Sequence, residues 1–409
     1  MIVLAGADLV LPDRIVTNGS LLIDGSQIVA LDSRPRVEPA QAEVIDVSDG
    51  YVVPGFIDVH VHGILGHDTL DGGNAVREIA SRLPPYGVTA FCPTTVACGP
   101  EALRGFCNQV RRARVDGVRN GSRVLPAHLE SNFINEEFRG AQPAECLRTP
   151  ATARATQPQS DAARTFMVRE DFSADDILDV IAAARPDIGI ITVAPEIPGG
   201  LDLVRSLVAA GHRVSLGHSG ADFDTANAAI DAGARHATHL FNRMTPVTHR
   251  VPGLAGAVLA REEVAAELIC DGYHVHPAMC RVAIAAKGAD RVMAITDGTA
   301  AAGLAVGASA RLGGRTIRVG ERAAFLDDGT LAGSTLTMDG AFRRVVSAFG
   351  SSIVEAATLC STTPARELGL TGFGVIAVGA TADVVVLDRA LNVTRTFIAG
   401  EEVYVSDHS

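Results

Sequence analysis

The 409-residue sequence has no surplus of basic residues, no apolar run of membrane length, no paired cysteines at CxxC spacing and only one lysine. Each absence closes off a class of function. Lys and Arg together number 35 against 47 Asp and Glu, a net charge of −12. That balance excludes nucleic acid or an anionic membrane as the main partner. It also means that an anionic substrate must be met by a local positive site. No apolar stretch approaches the ~18–20 residues of a membrane helix. The opening MIVLAGADLVLPDRIV lacks a basic leader followed by a cleavable apolar segment, so the expected location is cytoplasmic. The seven cysteines are odd in number and scattered, which suits buried reduced thiols better than a disulfide framework. Neither a Gly-rich phosphate loop after a first strand nor a nucleophile elbow is present. The apolar fraction of 47% and the charged fraction of 20% supply ample core and exclude global disorder.

The two chain ends read as β-structure. Ile2–Leu4, Gly19–Asp24 and Gln27–Asp32 are short strands broken by Pro-Asp, Asp-Gly and Gly-Ser turns, and Asp383–Leu387 and Val393–Ile398 continue the pattern before an Ala-Gly turn. Residues 1–53 and 365–409 are therefore expected to form one small β-sandwich domain. Residues 54–364 alternate between short apolar runs and helical periodicity. The runs are Gly55–His62, Gly87–Thr95, Arg123–Glu130, Ile188–Glu196, Arg213–His218, His236–Phe241, Ala266–Asp271 and Arg291–Asp297. Helices are expected at Asn74–Leu83, Glu101–Arg114, Ala174–Ala184, Leu201–Ala210, Phe223–Ala232 and Pro277–Ala286. Buried parallel strands alternating with helices predict an α/β fold, a (β/α)8 TIM-type barrel. Two connections stand apart: the long polar segment 139–170, and residues 242–256, a Pro/Gly-broken loop where a helix is due.

The chemistry sits at the ends of these runs. His60 and His62 occupy i and i+2 of the first run, which puts both imidazoles on one side of a strand. Run three ends in His128-Leu129-Glu130, run five in Gly217-His218-Ser219, run six in Thr238-His239-Leu240 and run eight in Thr296-Asp297-Gly298. Barrel enzymes place their working groups at the C-terminal ends of the strands. Five of eight ends carrying His, Glu or Asp point to a metal site. Lys287 falls in an outer helix, so a carboxylate that bridges two metals must be Glu or Asp, with Glu130 the candidate. His67, His128, His276 and His408 read as core or surface residues. His212 reads as a helix-end cap, and His236 lies at the wrong end of its strand. Cys92 and Cys270 fall inside strands as small apolar groups.

Taken together, Pro54–Gly63, Asp68–Asp71, Gly87–Thr89, His128–Glu130, Ala194–Glu196, Ser215–His218, Thr238–Asn242, Asp271–His274, Thr296-Asp297 and Leu331–Met338 resemble the N-acetylglucosamine-6-phosphate deacetylase family of the amidohydrolase superfamily. The resemblance covers nearly the whole chain. It implies that Glu130, His218 and His239 bind the main divalent metal and that His60 and His62 complete a second position. The ion would be zinc ahead of iron, manganese or cobalt, with one or two per subunit. It implies that Asp297 is general base and then general acid. Asn242, Arg243, Arg250 and His274 match positions holding a sugar phosphate. Leu331, Ala332 and Gly333 would line the sugar site, and Ala141 and Gln142 would meet the acetyl group. The family's counterpart of Arg250 acts across a homodimer interface.

Three departures from the family pattern are visible. Ser131-Asn132-Phe133 follows Glu130 where Gly-Pro-Phe is usual. Gln142 stands where the family has histidine, and Arg243 stands where a small residue is usual. Gln142 can donate a hydrogen bond but carries no charge. The implied reaction is metal-dependent hydrolysis of the N-acetyl group of N-acetylglucosamine 6-phosphate. The alternative is another N-acetylated amino sugar, either N-acetylgalactosamine 6-phosphate or an unphosphorylated one. A sugar-phosphate sensor without turnover would have no need of both the metal set and Asp297.

Overall fold

The structure is a computed structural model that describes residues 1–32, 42–150 and 171–407. Eight parallel strand positions form the barrel: Phe56–Val61, Val88–Thr95, Arg123–Val124 continued by Ala127–Leu129, Ile188–Val193, Arg213–Leu216, His236–Ala237, Ala265–Ile269 and Val292–Ile295. Each pairs with the next in chain order. The ring closes where the backbone N–H of Asp297 donates to the carbonyl of His60 at 3.1 Å and that of His62 donates to Gly298 at 2.8 Å. The strands are buried on both faces because Ile57, Val59, Cys92, Ile190, Met293 and Ile295 fill the interior while Phe56, Phe91, Ile191 and Val214 pack outward on helices.

Local chemistry fixes the helices. Ser173 and Asp176 form a reciprocal capping box at the start of Ala174–Ala183, Asp222 caps Phe223–Asp231, and Pro100 and Pro277 open their helices at positions that need no N–H donor. The connection expected to stay irregular over 242–256 is irregular only to Pro252. Gly253–Ala260 is a helix, begun where Pro252 and a left-handed Gly253 (φ +59°) end the loop. In the segment 139–170, the described part holds a short 3-10 turn at Ala144–Cys146, and residues 151–170 lie outside the described residues, as does His408.

The two chain ends meet in one small β unit as expected, hydrogen-bonded as a mixed sheet of eight strands. Its order runs Glu401–Val405, Val393–Ile398, Val384–Leu387, Tyr51–Pro54, Ile2–Val10, Ile15–Asp24 and Gln27–Asp32, with Glu43–Asp46 added parallel to Ile2–Val10. Leu4, Leu21, Ile28, Val52, Val384 and Phe397 form its core. An element absent from the sequence reading is a three-stranded sheet, Ser309–Leu312, Arg315–Val319 and Ala324–Phe325, inserted after the last barrel strand. It leads back into residues 331–336, which lie against the closing strand through the N–H of Ser334 on the carbonyl of Asp297 at 2.8 Å. Gly333 permits that approach. It sits at φ +61°, and a Cβ there would fall 2.9 Å from the Asp297 carbonyl oxygen. Among the described residues, no helix is long and apolar enough to cross a membrane.

Candidate metal centre

At the C-terminal mouth of the barrel the strand ends bring two triads of donors together. Glu130 follows the third strand. Its Oε1 lies 2.7 Å from Nε2 of His218 and 2.8 Å from Nε2 of His239, and those two nitrogens are 3.0 Å apart. Opposite them, Nε2 of His60 and Nε2 of His62 are 3.1 Å apart, each facing Oδ1 of Asp297 at 3.3 and 3.2 Å. Glu130 stands between the triads, with Oε2 at 3.6 Å from Nε2 of His62 and Oε1 at 4.0 Å from Nε2 of His60. All six side chains are buried. The sequence runs overshoot the observed strands here for a physical reason. His218 (φ +47°), His239 (φ +31°) and Asp297 (φ +49°) are in the left-handed region, so the chain turns sharply at each and aims the side chain into the mouth. Such conformations cost on the order of 1–3 kcal/mol each and concentrate at functional sites.

The surrounding groups orient the donors. Nδ1 of His218 donates to the carbonyl of Phe138 at 2.8 Å, and Nδ1 of His60 faces Oε2 of Glu267 at 2.9 Å. Each hydrogen bond turns the ring's Nε2 toward the site. Nδ1 of His62 and Nδ1 of His239 are buried and have no hydrogen-bond partner among the described residues. Burial opposes ionisation of Glu130, but His218 and His239 hold its carboxyl well below the usual range. Burial likewise opposes Asp297, and His60 and His62 hold it low. His60 itself is lifted to about 10: its burial acts downward, and the carboxylates of Asp297 and Glu267 outweigh it. Ionised carboxylates facing convergent imidazole nitrogens in a closed space are a donor set for a divalent cation of zinc type.

Of the remaining residues singled out in the sequence, Ala141, Gln142, Asn242, Arg243 and His274 line the cavity above these triads, as do Leu331 and Gly333. Ala332 is fully buried behind them, outside the lining. Arg250 is exposed and also lies outside this cavity, beside His249 at 2.7 Å. Gln142 accepts from the N–H of Ala97 at 2.7 Å and donates through Nε2 to Oε2 of Glu130. Asn132 is tied up in the loop, donating to the carbonyls of Cys98 and Cys146 at 2.8 and 2.7 Å. Nδ1 of His274 faces Oδ2 of Asp271 at 2.6 Å.

The other histidines take structural positions. His128 is buried between the carbonyl of Val59 and the hydroxyl of Thr192 at 3.1 and 2.9 Å, and burial lowers its pKa to about 4. His236 faces Glu367 at 3.6 Å, away from the site. His212 caps a helix end as expected, its backbone N–H donating to the carbonyl of Leu207 at 3.0 Å in the last turn of helix Gly200–Ala209, while its Nδ1 reaches the carbonyl of Ile188, 3.2 Å away at the start of the neighbouring strand. Lys287 donates to the carbonyls of Val258 and Arg261 on the outer helices. The sequence reading missed Val96, Ile269 and Leu312 of the cavity wall, and Glu267. Val96 and Ile269 also sit at strand ends and were within reach of the same positional argument. Glu267 was hidden in the middle of an apolar run.

Residues 204–403 match the family model described as Amidohydrolase family. N-acetylglucosamine-6-phosphate deacetylase of Bacillus subtilis (strain 168) is 32% identical over 402 residues, covering 97% of this chain and 96% of that one. N-acetylgalactosamine-6-phosphate deacetylase of Escherichia coli O157:H7 is 32% identical over 392 residues, covering 95% and 97%. Among solved structures, a mutant N-acetyl-D-glucosamine-6-phosphate deacetylase of Mycobacterium smegmatis, in complex with N-acetyl-D-glucosamine-6-phosphate, superposes with a TM-score of 0.85 at 32% identity, covering 99% of both chains.

Proposed function

The chain belongs to the N-acetylglucosamine-6-phosphate deacetylase family of the amidohydrolase superfamily, and we propose how its residues divide the work of its reaction, hydrolysis of N-acetylglucosamine 6-phosphate to acetate and glucosamine 6-phosphate. The observation that carries this reading is the convergence of Glu130, His218 and His239 beside His60, His62 and Asp297. Glu130, His218 and His239 would hold the main divalent ion, proposed to be zinc, and His60 and His62 a second. Bound there, a divalent cation supplies Lewis acidity toward water and the acetyl carbonyl.

The remaining steps belong to side chains. Asp297, kept ionised by its histidine neighbours, takes a proton from the attacking water and returns it to the departing nitrogen, so that the C–N bond breaks to acetate and free amine. Gln142 and Ala141 flank the acetyl group, and Leu331, Ala332 and Gly333 shape the sugar pocket. Asn242, Arg243 and His274 stand where the 6-phosphate would lie. Arg250 would complete that subsite from the partner in a homodimer. Exposed Val247, Val251, Met279 and Val282 near that loop support such an interface. The proposal includes a cytoplasmic enzyme and a division into residues 1–53 with 365–409 and residues 54–364.

A second reading, N-acetylgalactosamine 6-phosphate as substrate, is supported by the similarity to the Escherichia coli relative. Acetate release from both sugars, with and without the 6-phosphate, on protein of measured metal content separates the two. Fastest turnover of N-acetylglucosamine 6-phosphate is expected. Preference for the galacto epimer would replace the first reading with the second.

A further inference from the structure

The cavity wall contributed by the loops after strands six and seven carries a cation, Arg243, whose position was matched above to the phosphate but whose side chain stands where a small residue is usual. Arg243 follows Asn242 directly and lines the cavity. Its backbone is left-handed at φ +50°. The side chain runs across Gly140, close enough that a Cβ on that residue would fall 2.7 Å from Nε of Arg243. Gly140 is itself held at φ +58°. A side chain there would displace the arginine, so the bare glycine is what lets the guanidinium lie along the wall. Among the described residues the guanidinium has neither an acid partner nor a hydrogen-bond acceptor.

Its neighbourhood explains what it could meet. His274 stands on the adjacent loop with its Nδ1 engaged by Asp271, so its Nε2 is left for the cavity. Asn242 offers a side-chain amide on the same wall. The cavity floor is anionic through Glu130 and Asp297, and the protein as a whole carries −12, so neither attracts an anion. A planar guanidinium with free donors, exposed on the same cavity wall as an imidazole and an amide, matches the oxygens of a phosphomonoester.

We infer that the Arg243 side chain is a specificity-determining residue that binds the substrate's phosphate from within the same subunit, in addition to any cation supplied by the partner. This rests on the phosphorylated amino sugar proposed above. Arg243 touches a part of the substrate remote from the bond that breaks. Its contribution should therefore appear as binding common to ground and transition states, in KM more than in kcat.

The test uses the full-length, metal-loaded enzyme with N-acetylglucosamine 6-phosphate and N-acetylglucosamine, comparing wild type, Arg243→Gln, Arg243→Lys and Arg243→Gly. Gln keeps the reach without the charge, Lys restores the charge, and Gly suits the left-handed backbone. For the phosphorylated sugar, Arg243→Gln and Arg243→Gly should raise KM roughly 10- to 100-fold with kcat nearly kept, the range for losing a charge-assisted hydrogen bond. Arg243→Lys should recover part of the loss, and kinetics on the unphosphorylated sugar should not move. Inorganic phosphate should inhibit the wild type competitively, and the neutral variants more weakly. Equal losses on both sugars, or no loss on either, would overturn the inference while leaving the substrate assignment intact. A wild type indifferent to the phosphate would overturn the substrate assignment and this inference together.

Discussion

Nδ1 of His60 lies 2.9 Å from Oε2 of Glu267, and both side chains are closed to solvent. Glu267 reaches the metal centre from the middle of strand seven and is not part of the lining of the cavity above it. It also accepts the backbone N–H of His239 at 3.4 Å, so one carboxylate contacts a residue of each triad. Burial acts against its ionisation, and the histidines beside it, His128 and His60, hold its carboxyl below the usual range. The geometry holds the ring of His60 and turns its Nε2 toward His62 and Asp297.

Replacing that carboxylate tests how far the orientation matters. Glu267→Gln preserves volume and an acceptor but removes the charge. Metal affinity at the His60–His62 position should fall about 10- to 100-fold, the usual cost of losing such a supporting group. The ion at Glu130, His218 and His239 should be retained. Chelator competition followed by elemental analysis reads both, and identical release profiles for variant and wild type would dismiss the role.

Gln142 supports Glu130 in a different way, linking its Oε2 to the N–H of Ala97. Gln142→Leu leaves that buried N–H unpaired, which should cost about 1–3 kcal/mol of stability. It should also loosen the metal site, because Glu130 loses the donor that sets its rotation. Gln142→His restores a donor and should recover metal retention. Denaturant unfolding with metal analysis separates the two effects, and a Leu variant that holds metal as well as wild type would confine Gln142 to packing.

Asp297→Asn keeps the size and the hydrogen-bonding capacity of the side chain but removes the base. The rate of acetate release at saturating substrate should drop by about 10²–10⁴, with the ion at Glu130, His218 and His239 still bound. Near-normal turnover would show that another group carries the proton.

These sites differ in how openly the sequence declared them. His60, His62, Glu130, His218, His239 and Asp297 were legible because each interrupts or ends an apolar run, and strand order alone brings such ends to one rim. The barrel was legible for the same reason: strands buried on both faces leave long apolar words between helices with clear caps, such as Ser173 and Asp222. Glu267 was not, since a carboxylate inside an apolar run becomes intelligible only once His60, 207 residues away in sequence, is placed beside it. The sheet over Ser309–Phe325 was hidden as well. Its strands are two to five residues long and carry exposed arginines at 311 and 318, so the apolar alternation is too brief to stand out. His212 was legible as a helix cap because the helix it closes is adjacent in sequence, whereas its side-chain partner Ile188 is adjacent only in space.

The position of Arg250 gives the last prediction. It is exposed and lies outside the cavity above the triads, although its loop begins just after His239. If it serves the neighbouring site, Arg250→Ala should lower kcat/KM for the phosphorylated sugar by roughly 2–5 kcal/mol in transition-state terms, the range for truncating one partner of a desolvated charge pair. The unphosphorylated sugar should be hardly affected. A mixed dimer then distinguishes the two possible routes. Pairing an Arg250→Ala subunit with an Asp297→Asn subunit leaves one site with its own Asp297 and its partner's Arg250 both intact. Service across the interface therefore predicts about half the wild-type activity per dimer, recovered from two nearly inactive parents by that arrangement of the subunits. Service within a subunit predicts no recovery, because the arginine-deficient site and the aspartate-deficient site would each remain broken. Co-purified heterodimers carrying two different affinity tags, sized by light scattering and assayed for acetate release, provide the measurement. Failure to recover activity in a confirmed heterodimer would rule out the crossed arrangement.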